Sequence, residues 1–145
     1  MIRDVLDYVK PTAVAHNLWM GMHPDLLNET IRVEHVVSLE PWTPPRVGLK
    51  SHLVALMLDA EDQPLGHVPA VAAYVVACRH DGPTYVHCQA GLNRSGVVVA
   101  RALMLEGYSA DRAITVLRKL RGPDVLFNEA FVRWLESEDK WRETA

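Results

Sequence analysis

A cysteine, five intervening residues and an arginine form the segment Cys88-Gln89-Ala90-Gly91-Leu92-Asn93-Arg94, followed at once by Ser95 and the apolar run Val97-Val98-Val99-Ala100. A tight, glycine-containing loop entering a helix turns successive backbone N–H groups inward, and the free amides of the helix start add partial positive charge. Such a concavity attracts a dianion, and a phosphate fits it. Arg94 can close the cup with two parallel charge-assisted hydrogen bonds, which the point charge of a lysine could not reproduce. Cys88 lies at the bottom. The same amides, the guanidinium and the helix terminus favour a thiolate there, so its pKa is expected below the roughly 8.5 of a free cysteine. The chemistry called for is attack of sulfur on phosphorus. The plainer reading of Cys88 is a small buried hydrophobe, free cysteine being among the most buried residue types.

A second chemical group is required. Expelling an alkoxide or phenolate from phosphorus is slow unless an acid protonates the leaving oxygen. Three carboxylates stand together after an apolar strand, Asp59, Glu61 and Asp62. As a solvated cluster they also suit the start of the following helix, where the dipole favours negative charge.

The elements that must position these groups are readable from pattern. Thr84 to His87 is the strand feeding the loop. Asn17 to Gly21 reads as a short strand, Val33 to Leu39 as a buried one rich in β-branched residues, and His52 to Leu58 as another. Pro24 to Thr30 suits a short helix. Val68 to Arg79 is a buried helix that tolerates Pro69 in its first turn. Glu40 to Arg46 is a proline-stiffened loop, in which Trp42 either walls a cleft or caps the core. The helix from Arg94 stops at Gly107. Ser109 caps the next, with Ala113, Val116, Leu117 and Leu120 at helical spacing, and Asn128 caps a last one carrying Phe131, Leu135 and Trp134. Met1 to His16 shows no clear pattern, with Pro11 breaking any helix.

The 145 residues suit one domain, 1–145, of ordinary globular composition, and no repeat or linker interrupts it. A formal charge of −3 argues against a general nucleic-acid binder, which needs a basic face. The two cysteines, Cys78 and Cys88, form no Cys-x-x-Cys pair or zinc-type spacing. Cys78 is read as core filler, with a protective disulfide to Cys88 as the alternative. The acidic N-terminal residues do not resemble a signal peptide and no apolar run spans a bilayer, so a monomeric cytoplasmic protein without membrane contact is expected.

The segment His87-Cys88-x-x-Gly91-x-x-Arg94-Ser95 resembles the Cys-x5-Arg signature of the protein tyrosine phosphatase superfamily in its dual-specificity form. Asn17-Leu18-Trp19-Met20-Gly21 ahead of an apolar strand, and the three-helix ending with Asn128 then Phe131, are similar to that family too, so the resemblance covers about residues 15–137. It implies a cysteine nucleophile, Cys88, and a phosphocysteine intermediate. Gln89, Ala90, Gly91, Leu92, Asn93 and Arg94 would hold the phosphate. Asp59, directly after its strand and six positions before Leu65, would be the general acid, with Asp62 the weaker candidate. Ser95 would donate to the departing thiolate, and His87, buried, would orient the loop and help depress the cysteine's pKa. No cofactor or metal is implied, and His87 has no evident metal-binding partners in the sequence.

The expected fold is α/β: a central mixed, largely parallel sheet of four or five strands with helices on both faces and the site at the carboxyl end of the strand before the loop. Expected substrates are phosphotyrosine and phosphoserine/threonine proteins. Phosphoinositides and RNA 5′-phosphates stand as alternatives: the uncharged loop residues argue against the former, while Asn93-Arg94 is similar to RNA 5′-triphosphatase loops. A rhodanese-like sulfurtransferase and a non-catalytic phosphate-binding module are the rivals from other classes.

Overall fold

In the computed structural model of the chain, residues 8–27, 31–44 and 48–144 are described, with side chains to residue 139. Four strands lie parallel and one antiparallel. β1 (Thr12–Ala15) pairs antiparallel with β2 (Leu18–Gly21), which runs parallel to β5 (Thr84–His87); β5 is parallel to β3 (His35–Ser38), and β3 to β4 (Ser51–Val54). The order β1-β2-β5-β3-β4 makes a five-stranded sheet whose central strand feeds the Cys88 loop. That central place explains β5's composition. With neighbours on both sides and both faces covered, Thr84, Tyr85, Val86 and His87 are all buried.

Side chains alternate across the sheet. Val86, Val37, Leu18 and Met20 enter the main core with helices α1 (Val68–Asp81) and α2 (Arg94–Leu105), while Tyr85, Val36 and His87 occupy the other face. α1 and α2 pack on each other and both reach β5, and α3 (Ala110–Leu120) and α4 (Glu129–Thr144) pack on α2. Among the described residues the four α-helices therefore gather on one face, not on both as the sequence suggested. Phe131 and Leu135 of α4 are fully buried there, and Trp134 is partly so.

Several local expectations are met. The Ser109 side chain accepts from the Arg112 N–H, 3.1 Å, as the N-cap of α3. Gly107, at φ +108°, closes α2 as its N–H reaches the Met104 carbonyl. Leu120 departs from the pattern, being half exposed at the end of α3. β1 is an addition: its four residues are too few for a period to show. β4 is shorter than the expected strand 52–58, although Ala55 and Met57 still donate to Ser38 and Leu39 carbonyls. It is an edge strand, and Val54 at its end and Leu56 and Leu58 beyond it are exposed, at 46%, 60% and 70% respectively. Pro24–Leu26 form a single 3-10 turn, and the remainder of the expected helix, 28–30, lies outside the described residues, as do 1–7 and 45–47.

Candidate active site

The loop after β5 is a cup because its carbonyls are held outside it. Gln89 O accepts from the His23 N–H at 3.0 Å, Ala90 O and Gly91 O from the Arg121 guanidinium at 3.1 and 2.7 Å, and Leu92 O from the Leu126 N–H at 3.1 Å. No peptide bond among the described residues is cis. In a planar trans peptide the N–H points opposite to the preceding C=O, so these four outward carbonyls turn the amides of Ala90, Gly91, Leu92 and Asn93 inward. Gly91 confirms the direction: its N–H donates to Cys88 Sγ at 3.2 Å.

Only glycine fits at position 91. Its φ is +71°, and a Cβ there would stand 2.3 Å from the Gly21 carbonyl carbon. β2 and the loop thus touch backbone to backbone.

Cys88, 2% exposed, sits under the amides with Sγ 3.4 Å from Ser95 Oγ. Ser95 is fully buried in the first turn of α2. Its hydroxyl therefore serves the sulfur, and no side-chain cap bond is made at this helix start. Arg94, partly exposed, donates through Nη1 to the Met57 carbonyl at 3.2 Å, tying α2 to the segment ahead of Asp59. Both cysteines are free and buried, so the disulfide alternative for Cys78 is not realised.

Of the three candidate carboxylates, the fold brings Asp59 to the loop. Its Oδ2 accepts from Asn93 Nδ2 at 2.9 Å and its Oδ1 from Asn128 Nδ2 at 3.0 Å. Asn93 Oδ1 in turn accepts from the Asn128 N–H at 2.9 Å, and Asn128 Oδ1 from the Ala130 N–H at 3.1 Å, capping α4. Glu61 and Asp62 are exposed in the turn beyond. Asn93, expected to line the phosphate site, is 2% exposed with its side chain committed to this tie; only its backbone amide faces the cup. Gln89 likewise turns its side chain to solvent.

His87 is fully buried behind the cysteine. Nε2 lies 2.6 Å from Ser38 Oγ, which lies 2.7 Å from His52 Nε2, and its carbonyl accepts from the Leu39 N–H at 3.0 Å. Burial, aided by the neighbouring His23, pushes its pKa down to about 3. At neutral pH the ring carries no charge. Its ring packs behind the loop and brings no cation to the sulfur, whose neighbours are the Gly91 amide and the Ser95 hydroxyl. Trp42 resolves as a cap: its ring meets His87 and His52 edge-on, centroids 5.6 and 5.3 Å apart, and Nε1 donates to Asp25 at 3.2 Å.

Arg121 is the functional residue the sequence reading passed over. It is 5% exposed and satisfies five oxygens, those of Ala90, Gly91, Tyr8 and Lys10 carbonyls and the Thr12 hydroxyl. Burial lowers its pKa from an ordinary arginine's high value, yet guanidinium remains charged in proteins. In sequence it reads as one more basic residue at a helix end before Gly122-Pro123, with nothing to separate it from Arg118 or Lys119. Among the described residues, two clusters bring together groups able to ligate a metal, His23-Glu40-His87 and Glu34-His35-Asp81.

This geometry agrees with the comparisons to known proteins. The family model "Dual specificity phosphatase, catalytic domain" matches residues 18–140. The rat dual specificity protein phosphatase 12 is 32% identical over 115 residues, covering 74% of this chain and 33% of its own length. The variola virus dual specificity protein phosphatase OPG106 is 26% identical over 123 residues, covering 77% of this chain and 72% of its own. Among solved structures, a mouse putative dual specificity phosphatase superposes with a TM-score of 0.70 at 26% identity, over 92% of this chain and 90% of that one. Human DUSP28, at 24% identity, TM-score 0.74 and coverage of 92% and 98%, shows the same fold. The chain belongs to the dual-specificity phosphatase catalytic-domain family, within the cysteine-based protein phosphatases. It spans about a third of the rat relative's length.

Proposed function

We propose that this domain hydrolyses phosphomonoesters through a phosphocysteine at Cys88. The single observation that carries the reading is the set of outward-pinned carbonyls, which leaves four amides and the Cys88 sulfur facing one cup. Cys88, as a thiolate, attacks phosphorus in line; the inward amides and Arg94 neutralise the equatorial oxygens, and Asp59 gives its proton to the leaving oxygen. The S–P bond forms as the P–O bond to the leaving group breaks. Asp59, now a carboxylate, takes a proton from water, whose oxygen attacks phosphorus and expels the thiolate. Ser95, 3.4 Å from the sulfur, donates to it as it leaves. Arginine and backbone dipoles carry the neutralisation, so the sequence of steps calls on no metal.

The substrates we assign are proteins bearing phosphotyrosine and phosphoserine/threonine. Family membership supports this, as does an exposed apolar rim: Leu58 directly precedes the acid and Phe127 directly precedes Asn128, 70% and 62% exposed. The Asn93-Arg94 pair, which in sequence pointed toward RNA 5′-phosphates, is accounted for by the tie of Asn93 to Asp59 and Asn128. A sulfur nucleophile needs a reduced thiol, which fits the reducing cytoplasm, and we take the protein to act there as a monomer. No helix of the described residues is long and apolar enough to cross a membrane.

The test is turnover of p-nitrophenyl phosphate in the presence of a chelator. Release abolished by Cys88→Ser and blocked by vanadate is the expected result, and release unchanged in Cys88→Ser would refute the mechanism.

A further inference from the structure

Behind the catalytic loop three strand ends converge, and each sends one metal-ligating atom to the same point. His23 follows β2, Glu40 follows β3, and His87 ends β5; one ligand atom from each lies within 4.8 Å of the others, Glu40 Oε1 being hydrogen-bonded to His23 Nδ1 and facing His87 Nδ1. We propose that these three atoms form a binding site for a zinc-class divalent transition-metal ion, separate from the cysteine and its cup.

The first argument is an unmet need. His87 Nδ1 is buried, on a ring with no exposure, and makes no well-aligned hydrogen bond, the Cys88 backbone being its nearest polar neighbour on the loop side and Glu40 Oε1 standing 3.5 Å away. A buried polar atom without a partner costs about 1–3 kcal/mol. A cation at this point would give the nitrogen a well-aligned partner.

The second is size. With metal–nitrogen and metal–oxygen bonds of about 2.0–2.2 Å, tetrahedral ligands stand about 3.3 Å apart. The His87–Glu40 separation of 3.5 Å is already close to that value. Glu40 and His23 share a direct hydrogen bond. The cation replaces the proton between them, which leaves to solvent, and the two side chains part by a fraction of their length. His23, at 17% side-chain exposure, gives an entry path and leaves a fourth position for water.

The third is the outer shell. A metal-bound histidine donates its other ring N–H to an oxygen, which fixes the tautomer. Both histidines have that oxygen in place. His23 Nε2 lies 3.3 Å from the Asp25 carboxylate, and His87 Nε2 lies 2.6 Å from Ser38 Oγ. Ser38 has one hydroxyl proton for two rings. If His87 Nε2–H donates to Ser38, that proton goes to His52 Nε2, 2.7 Å away, and the lone pair of His87 Nδ1 faces the cluster. The cation selects this arrangement. Two nitrogens and one carboxylate oxygen, all of borderline softness, suit zinc, cobalt or copper better than calcium or magnesium.

Cobalt(II) is the probe, because its visible spectrum reports tetrahedral geometry and thiolate ligation separately. Titration of the intact protein should reach one equivalent, with tetrahedral bands, without a sulfur-to-cobalt charge-transfer band, and with zinc(II) displacing it. Binding should persist in Cys88→Ser and weaken about tenfold or more in His23→Ala, and the bound ion should raise the Tm of the wild type. Asp25→Asn, an exposed change outside the inner ligands, should weaken binding while leaving the fold intact, which covers a failure of His23→Ala to fold. Loss of binding in Cys88→Ser, unchanged binding in both His23→Ala and Asp25→Asn, or loss in His35→Ala, which belongs to the other cluster, would each overturn the assignment. None of these outcomes bears on whether Cys88 is the nucleophile.

Discussion

Asp59, the general acid we propose, takes its setting from distant side chains. Both of its oxygens accept amide hydrogens, from Asn93 and Asn128, so its carboxyl group is fixed over the loop without a charged partner. Asp59→Ala should lower kcat by about 10²–10⁴, the usual worth of a positioned acid, while Asp62→Ala leaves it nearly unchanged; steady-state kinetics on an aryl phosphate decides between them. Asn128→Asp makes a finer test. It keeps the helix cap but replaces a donor with a second carboxylate beside Asp59. Like charges disfavour ionisation, so the variant's acid stays protonated to higher pH, and the alkaline limb of the kcat profile should move upward. An unmoved limb would detach Asn128 from the acid. His87 offers a stability test. Its folded pKa of about 3 lies below the ordinary 6.5, so the unfolded chain takes up the proton first. Stability from this group is complete above pH 6.5 and is lost as pH falls toward 3, at up to about 1.4 kcal/mol per pH unit. Chemical unfolding between pH 7 and 4 should show that loss, and His87→Gln should flatten it.

At the scale of elements, the loop depends on what holds its carbonyls. Arg121 holds two of them from the end of α3 while anchoring the chain at Tyr8, Lys10 and Thr12. Removing it strands several buried acceptors, each worth about 1–3 kcal/mol. Arg121→Met should therefore cost more than about 3 kcal/mol, a fall in Tm of roughly 10 °C by calorimetry, and reduce kcat with it. Arg121→Lys should rescue little, since an ammonium cannot span the same acceptors. Gly91→Ala meets the Gly21 backbone at 2.3 Å and a positive φ together, and a loop displaced by an ångström loses on the order of a hundredfold in rate. A circular-dichroism melt alongside the kinetics separates a shifted loop from an unfolded domain.

Across the whole molecule, legibility followed distance along the chain. Cys88, Gly91, Arg94 and Ser95 lie within eight positions of one another, so their joint chemistry was visible as spacing. The parallel sheet, the Ser109 and Asn128 caps and the Gly107 stop were legible for the same reason: each is written in one local pattern. Arg121 was not, because its partners lie 30 to 113 positions away. Asn128 was readable as a cap but not as a partner of Asp59, 69 positions off. The edge position of β4, which leaves Val54 exposed, depends on strand order, and an apolar run carries no mark of its place in a sheet. His23 and Glu40 meet His87 only because β2, β3 and β5 end at one level.

The account rests on phosphate passing through sulfur. Ser95→Ala should slow the second step more than the first, so an acid quench during turnover of an aryl phosphate ought to trap the covalent enzyme. Mass spectrometry of its peptides is expected to find one phosphoryl group on Cys88. Steady turnover with no phosphoryl group on Cys88 at any quench time, or with the group on another residue, would contradict the account.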